Sequence, residues 1–178
     1  PILSWILLRG KAPCCGQSFS IQYPIVEFLT AAAFALSWYF MPLPEALAGW
    51  VLFSFLLAGS WIDWDYLILP DSTTLGLVVV GLILSFVIPE IHGYGGEHWL
   101  LDGLRGLGMG VFGMLIGSAV ILWVAMAGEY ILKKEAIGFG DVKLIGGIAT
   151  ITGWQGGVFA LFGGALLGTV LFVLLFPF

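Results

Sequence analysis

The sequence predicts an all-α protein that crosses a membrane several times. Of its 178 residues, 60% are hydrophobic and 10% are charged, and the mean hydropathy is +1.07. Soluble domains carry charge on roughly a quarter of their residues. The apolar residues also form long uninterrupted runs, without the alternation of a membrane barrel. Because a lipid-facing backbone must satisfy its own hydrogen bonds, we expect a polytopic transmembrane helical bundle.

About six spans are predicted, since a crossing needs roughly 20 apolar residues. The fifth is too short to cross comfortably, so it is expected to be a half-helix or to continue into 153–155. Three glycine pairs have the spacing at which membrane helices pack closely: Gly106/Gly110, Gly113/Gly117 and Gly164/Gly168. The predicted spans are 24–40, 46–62, 72–88, 100–127, 142–151 and 158–176.

The lysines and arginines predict the orientation, because they concentrate on the cytoplasmic side of membrane proteins. Arg9, Lys11, Lys133 and Lys134 fall on one side, whereas the loops 41–45 and 89–99 contain neither residue type. Arg105 lies near the outer end of the fourth span and so does not fit this orientation. Both termini and the short loops 63–71 and 129–141 are therefore expected to be cytoplasmic. We divide the chain into a partial cytoplasmic loop, 1–23, and a transmembrane domain, 24–178.

Two aspartates, Asp63 and Asp141, stand at the cytoplasmic ends of predicted spans. Carboxylates are costly in a membrane and are often retained there for chemistry. Two carboxylates that meet share a proton, which suits peptide hydrolysis by one ionised and one protonated group. Gly138 and Gly140 permit a non-helical backbone and close substrate approach just before Asp141. Asp141 could equally be a simple helix N-cap, so this motif alone decides nothing.

Three acids compete for the first position of such a dyad. Asp71 follows a proline and precedes an apolar run, which predicts an N-cap of the third span. Asp65 lies two positions from Asp63 and so faces a different side of a helix. From the residues alone, the choice between Asp63 and Asp65 stays open.

Three segments together resemble the type IV prepilin peptidases, bacterial membrane aspartyl proteases of the GxGD class. They are Ile-Asp-Trp-Asp-Tyr-Leu-Ile-Leu-Pro-Asp at 62–71, Gly-Phe-Gly-Asp-Val-Lys-Leu at 138–144 and Tyr-Pro-Ile-Val-Glu at 23–27. The resemblance implies that Asp63 and Asp141 are catalytic. It also implies that Lys143 belongs to the motif, where it would hold substrate or tune the dyad; the alternative is a membrane-surface anchor.

The resemblance implies a function as well. Enzymes of this family remove the leader peptide from prepilins and pseudopilins at the cytoplasmic face of the bacterial inner membrane. Many then N-methylate the new terminus with S-adenosylmethionine, although no motif here establishes that step.

Proteolysis by two carboxylates needs no cofactor. Zinc is doubtful, because Ala12 stands where the family often has a cysteine, although Cys14 and Cys15 follow.

Other functions remain open at this point. A proton-coupled transporter could use Asp63 and Asp141 as relay groups, but it would favour polar residues and broken helices at the bilayer centre. Another GxGD protease, such as a preflagellin peptidase or a presenilin-like enzyme, is the nearest enzymatic rival, and an assembly subunit would leave both motifs unexplained. No basic run indicates nucleic acid. His92 and His98 are expected to be solvated loop residues.

Overall fold

The structure is a computed structural model that describes residues 2–8, 10–11, 14, 16–96, 98–134 and 137–175. Within these ranges the chain is helical, as the apolar runs predict. A short 3-10 helix, Pro89–His92, follows the fourth α-helix. The α-helices are α1 (Ile2–Leu7), α2 (Gln22–Phe40), α3 (Leu43–Tyr66), α4 (Asp71–Val87), α5 (Trp99–Leu132) and α6 (Phe139–Leu175).

Four of the described helices, α2, α3, α5 and α6, are long and apolar enough to cross a membrane. The fifth apolar helix, α4, has 17 residues. Neighbouring helices run antiparallel: Gly59 of α3 packs against Thr73, near the start of α4, and Gly103 of α5 packs against Phe86, near the end of α4. The C-terminal end of α3 therefore lies at the same end of the bundle as the start of α4.

The predicted fifth and sixth spans lie within α6, which is broken at Gly153. This glycine has φ 72° and ψ 175°, a conformation that other residues rarely adopt. A Cβ built on Gly157 would lie 2.7 Å from the Cβ of Ala149, whereas eight residues of a continuous helix span about 12 Å. The chain therefore reverses at Gly153, and 139–152 packs beside the segment that follows. The predicted short fifth span is the first arm of this hairpin.

Glycines of α5 allow close contact with two neighbouring helices. A Cβ at Gly106 would overlap the carbonyl oxygen of Ser85 in α4, and one at Gly113 would overlap that of Ala149 in α6. The predicted close packing is therefore present at the two pairs in α5. In the described part of the chain it is not seen at Gly164 and Gly168, where an added Cβ would have no atom of a neighbouring segment within 4 Å.

His92 is not the solvated loop residue that the sequence suggested. Its Nε2 lies 3.1 Å from the hydroxyl oxygen of Ser85 and 3.1 Å from the carbonyl oxygen of Thr150. Ser85 donates a second hydrogen bond of 2.7 Å to the same carbonyl. In a regular helix that carbonyl would accept from the amide four residues later, beyond the break at Gly153. His92 and Ser85 thus replace a helical partner where α6 turns.

Protonation of His92 is expected to destabilise the fold. Burial lowers the pKa of His92 from its usual 6.5, and the hydrogen bond with Thr150 opposes this only in part. The unfolded chain therefore binds more protons below about pH 6.5, so stability is full above that pH and declines as the pH falls. Thermal unfolding in detergent between pH 7.5 and 5.0 should show this decline.

The matched variants are His92→Gln, which keeps a neutral donor, and His98→Gln in the same loop. We expect the loss of stability at low pH to be smaller in His92→Gln than in the wild type, and to be unchanged in His98→Gln. An equal pH dependence in all three proteins would contradict the role assigned to His92.

Candidate active site

The structure brings Asp63 and Asp141 to the same end of the bundle. Asp63 lies in the last turn of α3 and is exposed, whereas Asp141 lies in the first turn of α6 and is partly buried. The two carboxylates are close enough for the charge of Asp63 to act on Asp141. The sequence predicted that the two acids emerge on the same side of the membrane, which agrees with their position at one end of the bundle.

The local sequence explains why both acids stand at helix ends. α3 ends in a left-handed Leu67, whose N–H donates to the Asp63 carbonyl at 2.7 Å, and an extended segment leads to Pro70. α6 begins with the N–H of Asp141 donating to the Gly138 carbonyl at 3.1 Å. A carboxylate is stabilised there by the positive end of the helix dipole.

Leu69 links the two helices that carry the acids. A Cβ on Gly140 would lie 3.1 Å from the Cβ of Leu69, and one on Gly59 would lie 3.7 Å from its Cδ2. Gly59 stands one turn before Asp63, and Gly140 directly precedes Asp141. The side chain of Leu69 therefore contacts both acid-bearing helices close to the acids. Sequence reasoning missed this contact; the only local signal was the small residue one turn before Asp63.

The two glycines of the second motif differ in backbone conformation. Gly140 is helical and has no positive φ, so it provides close approach to Leu69 and no unusual backbone conformation. Gly138 precedes the helix and is exposed, and a Cβ there would lie 3.7 Å from the Asp141 Oδ2. The expectation of a non-helical backbone holds only for Gly138.

Asp65 points away from the two acids. Two residues along a helix correspond to a rotation of about 200°, and its side faces α2. A cavity of about 620 Å³ lies there, with two carboxylates and two aromatic rings in its wall. Its lining residues are Gln22, Tyr23, Val26, Glu27, Trp61 and Asp65. The packing of α3 thus separates the two acids that the sequence left in competition.

Asp71 is not the N-cap that the sequence predicted. The cap position is occupied by Pro70, and Asp71 is the first helical residue, without a side-chain cap. Its Oδ1 accepts a hydrogen bond of 2.6 Å from the Nζ of Lys143. Lys143 therefore binds an acid at the start of α4. From the sequence we expected a role in the catalytic motif or as a membrane-surface anchor, and neither included this contact.

The residues that the structure describes contain no group of three or more metal-binding side chains. Cys15, Ala12 and Arg9, on which the zinc and orientation arguments drew, lie outside the described residues. The zinc expectation therefore stays untested.

Comparison with known proteins identifies the family. Residues 50–173 match the type IV leader peptidase family, and this segment contains both Asp63 and Asp141. The chain belongs to the type IV leader peptidase family. Residues 1–41 match the bacterial N-terminal domain that is described for the same peptidases. The resemblance that the motifs suggested is confirmed, and the transporter alternative gains no support.

Several curated relatives carry names from this leader peptidase family. The prepilin leader peptidase/N-methyltransferase of Pectobacterium carotovorum subsp. carotovorum is 35% identical over 156 residues, covering 87% of this chain and 51% of the relative. The protein of the same name from Neisseria gonorrhoeae is 32% identical over 171 residues, covering 96% and 55%. The chain thus spans about half the length of these relatives. No solved structure matches it.

Proposed function

We propose that this protein is a membrane-embedded aspartyl endopeptidase that removes the leader peptide from type IV prepilins or pseudopilins. The observation that carries the proposal is the placement of Asp63 and Asp141, from two helices, at one end of the bundle and within the segment that matches the peptidase family. Relatives that are 32–35% identical to this chain are named as prepilin leader peptidases. We assign the catalytic roles to these two aspartates.

The proposed reaction needs one ionised and one protonated carboxyl group. Asp63 is exposed and Asp141 partly buried, so the pair has one open side toward water and substrate. The ionised member takes a proton from a water molecule, whose oxygen adds to the scissile carbonyl carbon. The protonated member donates to the carbonyl oxygen. When the carbon–nitrogen bond breaks, the departing amine takes up a proton from the pair.

We place the active site at the cytoplasmic face of the bacterial inner membrane. Lys133 and Lys134 follow α5 at the end of the bundle where α6 and its aspartate begin, and basic residues favour the cytoplasmic side. The division into a loop, 1–23, and a transmembrane protease domain, 24–178, is part of this proposal. The bilayer and prepilins are its proposed partners, and we propose none among nucleic acids.

The test is leader cleavage by the full-length protein in lipid nanodiscs. A prepilin is incubated with the protein, and mass spectrometry is used to identify the new N-terminus. We expect a single cut that separates the leader from the mature pilin. Uncut prepilin across several substrates, together with proton flux in proteoliposomes, would instead favour the transporter.

We propose N-methylation as a second activity, because the relatives' names include it. S-adenosylmethionine is a sulfonium cation, and aromatic faces and carboxylates attract cations. In the cavity between α2 and α3, Tyr23, Trp61 and Glu27 would hold this donor, which would supply the methyl group to the new amine. The two rings and the carboxylate line one cavity, so these residues fit such a ligand.

Donor binding can be measured without cleavage, by the binding of labelled S-adenosylmethionine to the protein in nanodiscs. We expect Trp61→Ala to weaken binding roughly tenfold, because one aromatic face contributes about 1–2 kcal/mol to holding a cation. Trp64→Ala is the control, since Trp64 is 79% exposed and does not line the cavity. Equal binding by both variants would exclude this cavity.

A further inference from the structure

Lys143 lies on a different face of α6 from Asp141. Two residues along a helix correspond to a rotation of about 200°, so the two side chains leave the helix in nearly opposite directions. Lys143 contacts Asp71 of α4 and lies over the ring of Phe139, with its Nζ 5.2 Å from the ring centroid. Any influence of Lys143 on the dyad therefore passes through the first turns of α6.

The position of Lys143 is unfavourable for an isolated helix. A cation near a helix N-terminus opposes the helix dipole, whereas an anion there is favoured. Lys143 is the fifth residue of α6, and its side chain is only 24% exposed. Asp71 compensates for that cost with a hydrogen bond of 2.6 Å, from the first residue of another helix.

The backbone around Asp71 is fixed by local hydrogen bonds, whereas its side chain is 66% exposed. Asp71 follows Pro70, whose φ is restricted by its ring. The Pro70 carbonyl accepts hydrogen bonds from the backbone N–H groups of Thr73 and Thr74, at 3.0 and 3.2 Å, and from the hydroxyl of Thr73 at 2.8 Å. The preceding Leu69 contacts Gly140. The start of α4 therefore meets the start of α6 at two points, one apolar and one ionic.

We propose that the Asp71–Lys143 ion pair is a positioning device that fixes the first turns of α6 against α4 and so holds the Asp141 carboxylate beside Asp63. This inference rests on the proposed peptidase function. Asp71 and Lys143 are positioning residues, since the hydrogen bond and ion pair that the structure describes for their side chains join them to each other and not to the dyad.

The first test is a double-mutant cycle on prepilin cleavage, with Asp71→Asn, Lys143→Met and both together. Each single variant should lower kcat roughly tenfold to a hundredfold with KM unchanged, because small displacements of a catalytic group have effects of that size. The double variant should be no worse than the singles, since both remove one interaction. Asp71→Glu and Lys143→Arg should retain most of the activity.

Two kinetic results would overturn the proposal. If Lys143→Met raises KM while the KM of Asp71→Asn equals that of the wild type, Lys143 binds substrate instead. If the losses of the single variants multiply in the double variant, the two residues act independently.

The second test does not need peptidase activity. Hydrogen exchange of the backbone amides in 143–148 reports how firmly the start of α6 is held. We expect exchange roughly tenfold faster in Asp71→Asn and Lys143→Met than in the wild type, and no change in Glu45→Gln, which removes an acid from the first turn of α3 at the other end of the bundle.

The two tests separate the inference from the proposed function. A wild type that cleaves no prepilin would remove the peptidase proposal, and exchange would then decide alone whether the pair holds α6. Unchanged exchange in both single variants would overturn the positioning role, whatever the activity.

Discussion

Replacing Asp63 or Asp141 by asparagine is expected to lower prepilin cleavage by about 10²- to 10⁴-fold, the range for loss of a general acid or base. Asparagine keeps the size of the side chain but can neither take a proton from water nor donate an acidic proton. Both acids lie at helix ends, and neither contributes to the buried core. The folded fraction in nanodiscs should therefore remain near that of the wild type. Initial rates of leader release provide the measurement.

Asp65→Asn is the matched control for the dyad. Asp65 belongs to the same final turns of α3 but lines the cavity on the α2 side. We expect cleavage within about threefold of the wild type, since surface substitutions away from the chemistry have small effects. Loss of cleavage with Asp65 and retention with Asp63 would reverse the assignment. The double variant Asp63→Asn/Asp141→Asn should be about as inactive as either single variant, because the pair acts as a unit.

The sequence was sufficient to predict the long apolar helices and to predict that the two acids emerge at the same end of the bundle. Apolar runs are local signals, so α2 to α5 begin and end within five residues of their predicted bounds. The two aspartates were found because each ends an apolar run inside a recognisable motif. Family comparison then confirmed the resemblance on which their assignment rests.

The remaining features depend on contacts between distant residues, which local patterns do not encode. The Asp71–Lys143 pair joins positions 72 apart, and the contact of His92 with Thr150 joins positions 58 apart. Asp71 has the residue type and the sequence neighbours of a helix cap, but a lysine from another helix binds its carboxylate. The separation of Asp63 from Asp65 likewise depends on which faces of α3 pack against α2 and α6.

Gly113→Ala is expected to destabilise the bundle by about 1–3 kcal/mol, the range for overpacking a tight interface. The added methyl would overlap the carbonyl oxygen of Ala149, a backbone atom of the first arm of α6 that cannot rotate away. α5 and α6 would have to separate locally. Because that arm carries Asp141 at its start, cleavage should fall together with stability. Unfolding free energy in detergent is the measurement.

Gly108→Ala is the matched control within the same helix. Among the described residues, no atom outside the nearby backbone of α5 lies within 4 Å of a Cβ at Gly108, so the methyl group meets no neighbouring helix there. Alanine also favours the helix over glycine by up to about 1 kcal/mol, so this variant should equal or exceed the wild type in stability. The two variants make the same chemical change at positions five residues apart, and they differ in what the methyl group meets. Equal stability of both would show that α5 and the first arm of α6 are packed less closely than the contact at Gly113 requires.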